Sequence, residues 1–344
     1  MSRLRKVEVN GEAFSARSGD LLLDAALMSG VDIPHDCRSG YCGTCRVRVL
    51  EGRVFGGQTS DSGEVHACQC RIISDVKVAV EDVPGICTES GRVTSLNRLA
   101  PDVVEVCVEV SQPTDYLPGQ HYKVKFRGLP ARCYSPTIPL EGPEDDHLIR
   151  FHVRLVPGGR VSSALGNRVR VGHRVKLLGP LGSAYLRSHR TRRLVLVAGG
   201  TGFAPMWSIA DAAMRERPER PLTLVVGARN LESLYMIPAL CQLATFRNVT
   251  IVPVVFEPQS LTKVVREGHP TDHLPALSER DVVYTAGVPA MVESVAGIAE
   301  AANAKCYMDP FAPAPDDTEG AGLLSRGIDW FSARLEAPGA VQAG

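Results

Sequence analysis

The chain has no hydrophobic run long enough to cross a membrane: Leu194–Ala198 and Ile251–Phe256 are strand-sized, well short of the ~18 residues a spanning helix needs. Charge of one sign is missing too. Lys and Arg total 38 and Asp and Glu total 38, so there is none of the basic excess that nucleic-acid binders carry. A protein partner docked on a local charged patch remains compatible with that balance. Met1–Lys6 is basic, but no apolar stretch follows it, so no secretory signal is expected and the chain reads as cytoplasmic, without a membrane or nucleic-acid partner. The nine histidines are scattered singly, with no paired metal-ligand spacing, and read as surface or core residues. Against these absences stand 344 residues, 44% of them hydrophobic and 22% charged. That is enough for two or three domains with ordinary cores.

The sequence divides by pattern. In residues 1–84, Lys6–Asn10 and Glu12–Ala16 predict a hairpin turning at Asn10-Gly11. Asp20–Ser29 predicts a helix capped by Ser18 or Asp20 and ended by Gly30. A cysteine-rich loop and strands at Arg46–Leu50 and Val76–Val80 follow. Val83-Pro84-Gly85 reads as a linker. Residues 88–187 carry strands at Val103–Val110, His121–Phe126, Leu148–Leu155 and Arg174–Leu178, split by turns, as in a small antiparallel barrel. Residues 191–311 alternate apolar strands (Leu194–Ala198, Leu222–Val226, Val249–Val255, Val282–Ala286) with helix-length segments, the pattern of a parallel α/β sheet. In the tail, 312–344, a Pro/Asp/Gly-rich link precedes Leu324, Ile328, Phe331 and Leu335 on one helical face, either packing back on the body or docking a partner.

Ten cysteines in a chain of this length, without a signal, point to metal ligation in a reducing compartment. Cys37, Cys42 and Cys45 have the C-x4-C-x2-C spacing of plant-type [2Fe–2S] sites, which need four thiolates for two sulfide-bridged irons. Gly40 and Gly43 allow the loop to wrap such a cluster and bring N–H groups near sulfur. Cys68 and Cys70 compete for the fourth place. Zinc usually takes C-x2–4-C knuckles, which fit this spacing less well.

Arg132-Cys133-Tyr134-Ser135 follows a strand and precedes a proline-rich turn. There an arginine can meet a flavin phosphate bidentately, a tyrosine can cover the ring, and a serine can reach its edge near N5. Val156–Leu165 holds a glycine turn followed by serine and a short helix start, whose free N–H groups make an anion site suited to a pyrophosphate. Leu178–Gly182 reads as another tight turn. Gly199-Gly200-Thr201-Gly202 ends a buried strand just before a helix with Pro205 near its start. This is not the G-x-G-x-x-G fingerprint, but it uses the same close backbone approach at the carboxyl end of a strand.

Taken in order, these motifs resemble the iron–sulfur flavoprotein reductases of bacterial oxygenase systems, within the ferredoxin–NADP reductase superfamily, over Val7–Phe311. The likeness is greatest to reductase components of aromatic-ring dioxygenases. The resemblance implies a β-grasp [2Fe–2S] ferredoxin domain, an antiparallel β-barrel FAD domain and a parallel-sheet α/β NAD domain. It favours Cys68 as the fourth ligand. It assigns Arg132, Tyr134 and Ser135 to the flavin, Gly159, Val161 and Ser162 to the FAD pyrophosphate, and Gly199, Gly200, Thr201 and Gly202 to the nicotinamide cofactor. Gly227-Ala228-Arg229 would meet the adenosine half, and Phe311 of Tyr307-x-Asp309-x-Phe311 would lie against the flavin. Ser135, Tyr134 and Phe311 are thus the expected catalytic residues. Ala286 stands where the family has a cysteine beside the nicotinamide ring. The implied activity is electron transfer from NADH, or NADPH, to FAD and then singly through the cluster. The implied acceptor is a Rieske ring-hydroxylating dioxygenase or its ferredoxin, in aromatic hydrocarbon catabolism. A di-iron monooxygenase, a non-oxygenase acceptor and a redox sensor are the alternatives.

Overall fold

Three sheets follow one another along the chain. The computed structural model describes residues 3–59, 63–187, 192–257 and 264–311, so the tail helix expected at 324–335 lies outside the described residues. The first sheet comprises β1 (Leu4–Val9), β2 (Glu12–Arg17), β3 (Arg46–Phe55), β4 (Glu64–His66) and β5 (Arg71–Val80), in the order β2-β1-β5-β3-β4, with α1 (Leu22–Met28) against it. Asn10 and Gly11 both take positive φ, 47° and 94°, as a two-residue hairpin turn requires. β1 and β5 run parallel and the other pairs antiparallel, which is the β-grasp arrangement. Leu22, Leu23 and Ala26 of α1 are fully buried against Val7, Val47, Ile72 and Val78; each such leucine contributes ~1.5–3 kcal/mol. The expected cap is absent: Leu21 holds the N-cap without a side-chain bond. Asp20 instead accepts the Arg17 N–H at 2.9 Å.

The second sheet has seven strands: β6 (Cys87–Ala100), β7 (Val103–Val110), β8 (His121–Phe126), β9 (Arg132–Tyr134), β10 (Pro136–Thr137), β11 (Leu148–Arg154) and β12 (Arg174–Leu181). Their order is β10-β11-β7-β6-β12-β8-β9, and every pairing is antiparallel. The two outermost strands, β9 and β10, are separated in sequence by Ser135 alone, so the sheet must curl into a nearly closed barrel. Its interior is filled by Val106, Val108, Val124, Phe126, Phe151 and Leu177. Leu178–Leu181, expected as a turn, continues β12 through a register shift.

The third sheet is wholly parallel: β13 (Leu194–Gly199), β14 (Leu222–Ala228), β15 (Val249–Val255), β16 (Arg266–Glu267), β17 (Val282–Gly287) and β18 (Lys305–Pro310), ordered β16-β15-β14-β13-β17-β18. The helices α2 (Phe203–Glu216), α3 (Ile237–Leu243) and α4 (Pro289–Ala301) connect them. The chain order reverses at β13, so the carboxyl ends of β13 and β17 form the switch point where such sheets bind ligands. β13 and β17 are buried almost throughout, which is why they appear as unbroken apolar runs.

Candidate functional site

The loop between α1 and β3 gathers the thiols as two pairs. The Cys42 and Ser39 N–H groups donate to Cys37 Sγ at 3.3 and 3.4 Å. The adjacent Cys42 thiol pulls Cys37 down to about 4, while Cys42 itself is pushed far up by Cys37 and by burial. Cys45 and Cys68 form the second pair: burial pushes Cys45 up to about 12 with Cys68 beside it. The Ala67 N–H donates to Cys45 O at 2.9 Å, tying the Cys68 tract to the loop. Cys70 is fully buried. Its thiol faces Ala67 O at 3.9 Å and is raised to about 12 by burial. No group of three or more His, Cys, Asp or Glu able to hold a single ion exists among the described residues. Two thiol pairs suit two irons, each taking two thiolates, better than one tetrahedral zinc.

The loop lies against the barrel. Asp36 pairs with Lys123 of β8, and the Gly182 N–H after β12 donates to Thr44 Oγ1 at 3.0 Å. Gly182 in turn abuts the His121 ring. At the gap between β9 and β10, buried Ser135 donates to Asp309 of β18 at 2.7 Å. His121 Nδ1 stands 3.8 Å from the same carboxylate. Burial raises Asp309 above the ordinary carboxylate range, against the opposing pull of His121 and Ser135. Tyr134 packs against Phe151 with the two rings tilted by 50° and their centroids 6.1 Å apart. Phe311 is anchored by its N–H to Gly287 O at 2.7 Å and packs beside the core of the parallel sheet. Ser135, Tyr134 and Phe311 therefore border the junction of barrel and parallel sheet. Arg132 is half-buried on β9 and donates to Ala131 O at 2.7 Å.

The second motif forms a single 3-10 turn, Ser162–Ala164, rather than a longer helix. Ser162 Oγ is occupied within its own loop, accepting the Val156 N–H at 3.0 Å. The Val161 and Ser162 N–H groups have no partner among the described residues, which is what a phosphate cradle needs. In the third motif Gly200–Gly202 is a 3-10 turn and α2 begins at Phe203, so Pro205 is the third helical residue rather than the first. A Cβ on Gly202 would overlap the Ala286 carbonyl, so only glycine lets the turn close on the end of β17. Buried Thr201 completes the turn. Arg229 is exposed at the carboxyl end of β14, without a carboxylate partner among the described residues.

Sequence reasoning missed His121, Thr44 and Gly182, and gave Asp309 no role. Asp309 and Ser135 are 174 positions apart, and a single histidine in an alternating strand has no local signature.

Family models match in the order of the three sheets: "2Fe-2S iron-sulfur cluster binding domain" over residues 7–72, "Oxidoreductase FAD-binding domain" over 90–185 and "Oxidoreductase NAD-binding domain" over 196–297. The reductase component of the naphthalene 1,2-dioxygenase system of Pseudomonas putida is 32% identical over 89% of this chain and 98% of its own. The xylene/toluene monooxygenase electron transfer component of Pseudomonas putida is 33% identical over 74% of this chain and 77% of its own. Among solved structures, a cytochrome P450 reductase from Amycolatopsis is 29% identical, with TM-score 0.66 over 90% of this chain and all of its own. The ferredoxin reductase of carbazole 1,9a-dioxygenase is 25% identical, with TM-score 0.62 over 91% and 99% of the two chains. With the three domains in this order and a relative matched along nearly its whole length, the chain belongs to the family of iron–sulfur flavoprotein reductases, the ferredoxin–NAD(P)+ reductase components of oxygenase systems.

Proposed function

We propose that the chain takes hydride from NADH at the carboxyl end of the parallel sheet and sends single electrons to a Rieske ring-hydroxylating dioxygenase or to the ferredoxin that serves it. The working domains are 1–84 for the cluster, 88–187 for FAD and 191–311 for the nicotinamide cofactor, with 312–344 as a tail. FAD accepts an electron pair and releases it singly, which a one-electron cluster requires.

The chain's own residues supply the geometry. Cys37, Cys42, Cys45 and Cys68 hold the irons. Arg132 and the Gly159–Ser162 turn hold the FAD phosphates, and Tyr134 and Phe311 flank its ring. Ser135, backed by Asp309, holds a hydrogen bond at the ring edge. Gly199–Gly202 seats the nicotinamide pyrophosphate, and Arg229 the adenosine half. The observation that carries this reading is the Thr44–Gly182 contact, which sets the cysteine loop on the barrel next to His121 and the Ser135–Asp309 pair. Cys37 and Tyr41 are exposed, so the loop offers an exit to solvent.

The dioxygenase acceptor is supported by the naphthalene relative. A monooxygenase hydroxylase is the second reading, favoured by the xylene/toluene relative. NADH-driven turnover with a purified dioxygenase and its ferredoxin, set beside a di-iron hydroxylase, separates them. Coupled product from the first alone supports the proposal, and coupled product from the second alone overturns it. The ratio of kcat/KM for NADH and NADPH tests the choice of donor.

A further inference from the structure

The contact between cysteine loop and barrel contains a hydroxyl whose direction is fixed from across the domain boundary. Thr44 Oγ1 has two polar neighbours: the Gly182 N–H at 3.0 Å and Cys42 Sγ at 3.2 Å. A backbone N–H can only donate, so Thr44 accepts there. Once Cys42 is a ligand thiolate it carries no proton, and the Thr44 hydroxyl is the only one of the two able to donate. Its proton then points at the sulfur.

The surroundings keep it there. A Cβ on Gly43 would overlap the Ser183 side chain, and one on Gly182, where φ is +91°, would lie 2.8 Å from His121 Nδ1. Glycine on each side lets the two backbones meet. The gap left along the boundary is about 20 Å³, room for roughly one water.

We propose that Thr44 is a positioning residue through which the FAD barrel sets the cluster's reduction potential: the Gly182 N–H aims the Thr44 hydroxyl at Cys42, so docking and potential are coupled. This rests on the reading of Cys42 as a cluster ligand. A hydrogen bond donated to the thiolate favours the more negative, reduced cluster and raises its potential. If the barrel moves away, the hydroxyl is released and the potential falls.

The test uses the full chain, carrying its cluster and FAD, as wild type, Thr44→Val, Thr44→Ser and Ser183→Leu. Iron and acid-labile sulfide are assayed first, and the cluster midpoint is then read by EPR-monitored redox titration. Thr44→Val should lower the reduced-to-oxidised ratio at fixed poise by about tenfold, which is ~59 mV for a one-electron couple. Thr44→Ser should restore it. Ser183→Leu, which wedges Gly43 away, should lower it in the same direction, and the double variant should fall no further. Faster amide exchange at Gly182 in Thr44→Val reports the contact independently of the cluster. If Thr44→Val does not load, the Ser183→Leu potential and the Gly182 exchange decide the matter. Wild type lacking iron and sulfide would overturn the ligand reading itself. A fully loaded Thr44→Val at the wild-type midpoint, or a Ser183→Leu midpoint that does not move, would overturn the coupling alone.

Discussion

Glu81→Ala should loosen the ferredoxin domain from the rest of the chain, and the loss can be sized from the structure. Glu81 follows β5 and meets Arg187, whose side chain is 2% exposed, with Nε–Oε1 at 3.2 Å and a second bond to Oε2 at 2.8 Å. The Tyr185 hydroxyl also donates to Glu81. Arg187 lies over the rings of Tyr185 and Tyr307, 4.1 and 3.9 Å from their centroids, and donates to the Ser183 and Tyr185 carbonyls. Removing one partner of a buried pair costs ~3–5 kcal/mol. Glu81 is 36% exposed, so water entering its place reduces this to about 2–3 kcal/mol. At ~2–4 °C per kcal/mol for a unit of 150–250 residues, the Tm should fall by about 4–12 °C.

The pH dependence has a definite sign. Burial alone would raise the Glu81 carboxyl, but the hydrogen bonds and charge of Arg187, with Tyr185, hold it below its ordinary 4.5. A depressed folded pKa contributes stability above the unfolded value and loses it as pH falls through the folded one. The difference between wild type and variant should therefore be full near neutrality, begin to shrink below about pH 4.5 and close only as pH falls through the lower folded pKa. Calorimetry from pH 7 down to about pH 3 reads it. A drop under about 1 °C at pH 7, or one that does not shrink in acid, refutes the reasoning.

Three further outcomes are expected. Cys68→Ser should abolish the two-iron, two-sulfide content, whereas Cys70→Ser should keep it with a stability loss of ~1–3 kcal/mol from a hydroxyl placed in an apolar core; iron and sulfide assays with denaturant melts separate them. Ser135→Ala removes the buried partner of Asp309 and should slow flavin reduction by NADH at least ~10-fold in stopped flow, with cluster content unchanged; a rate within about twofold of wild type counts against the role given to Ser135. Ala286→Cys should alter hydride transfer and leave flavin-to-cluster transfer alone, and equal change in both steps would contradict that assignment.

The strands that declared themselves in sequence are those buried along one face or both. β7, β8 and β15 begin and end where the apolar pattern does. β6, the longest at 14 residues, was illegible: only Val93 and Ala100 of it are buried, and register shifts at Val93/Ser95 and Arg98/Ala100 break its alternation. β9 and β10 span three and two residues, too few for any period to show. The cysteine loop and the glycine turns were legible because their chemistry fixes local spacing. The contacts joining the domains were not. Thr44 and Gly182 lie 138 positions apart and Glu81 and Arg187 106 apart, and nothing local in either segment records the other. The alternation around His121 marks a buried face but does not say what that face meets.

The most direct test of the account is an anaerobic titration of the purified, reconstituted chain with NADH, followed optically and by EPR, beside iron, sulfide and flavin assays. The account predicts two irons and two sulfides per chain, one FAD, bleaching of the flavin by NADH, and a reduced cluster signal, with about three electrons taken up per chain. A chain that binds zinc without labile sulfide, or whose flavin bleaches while its cluster stays oxidised, would contradict it.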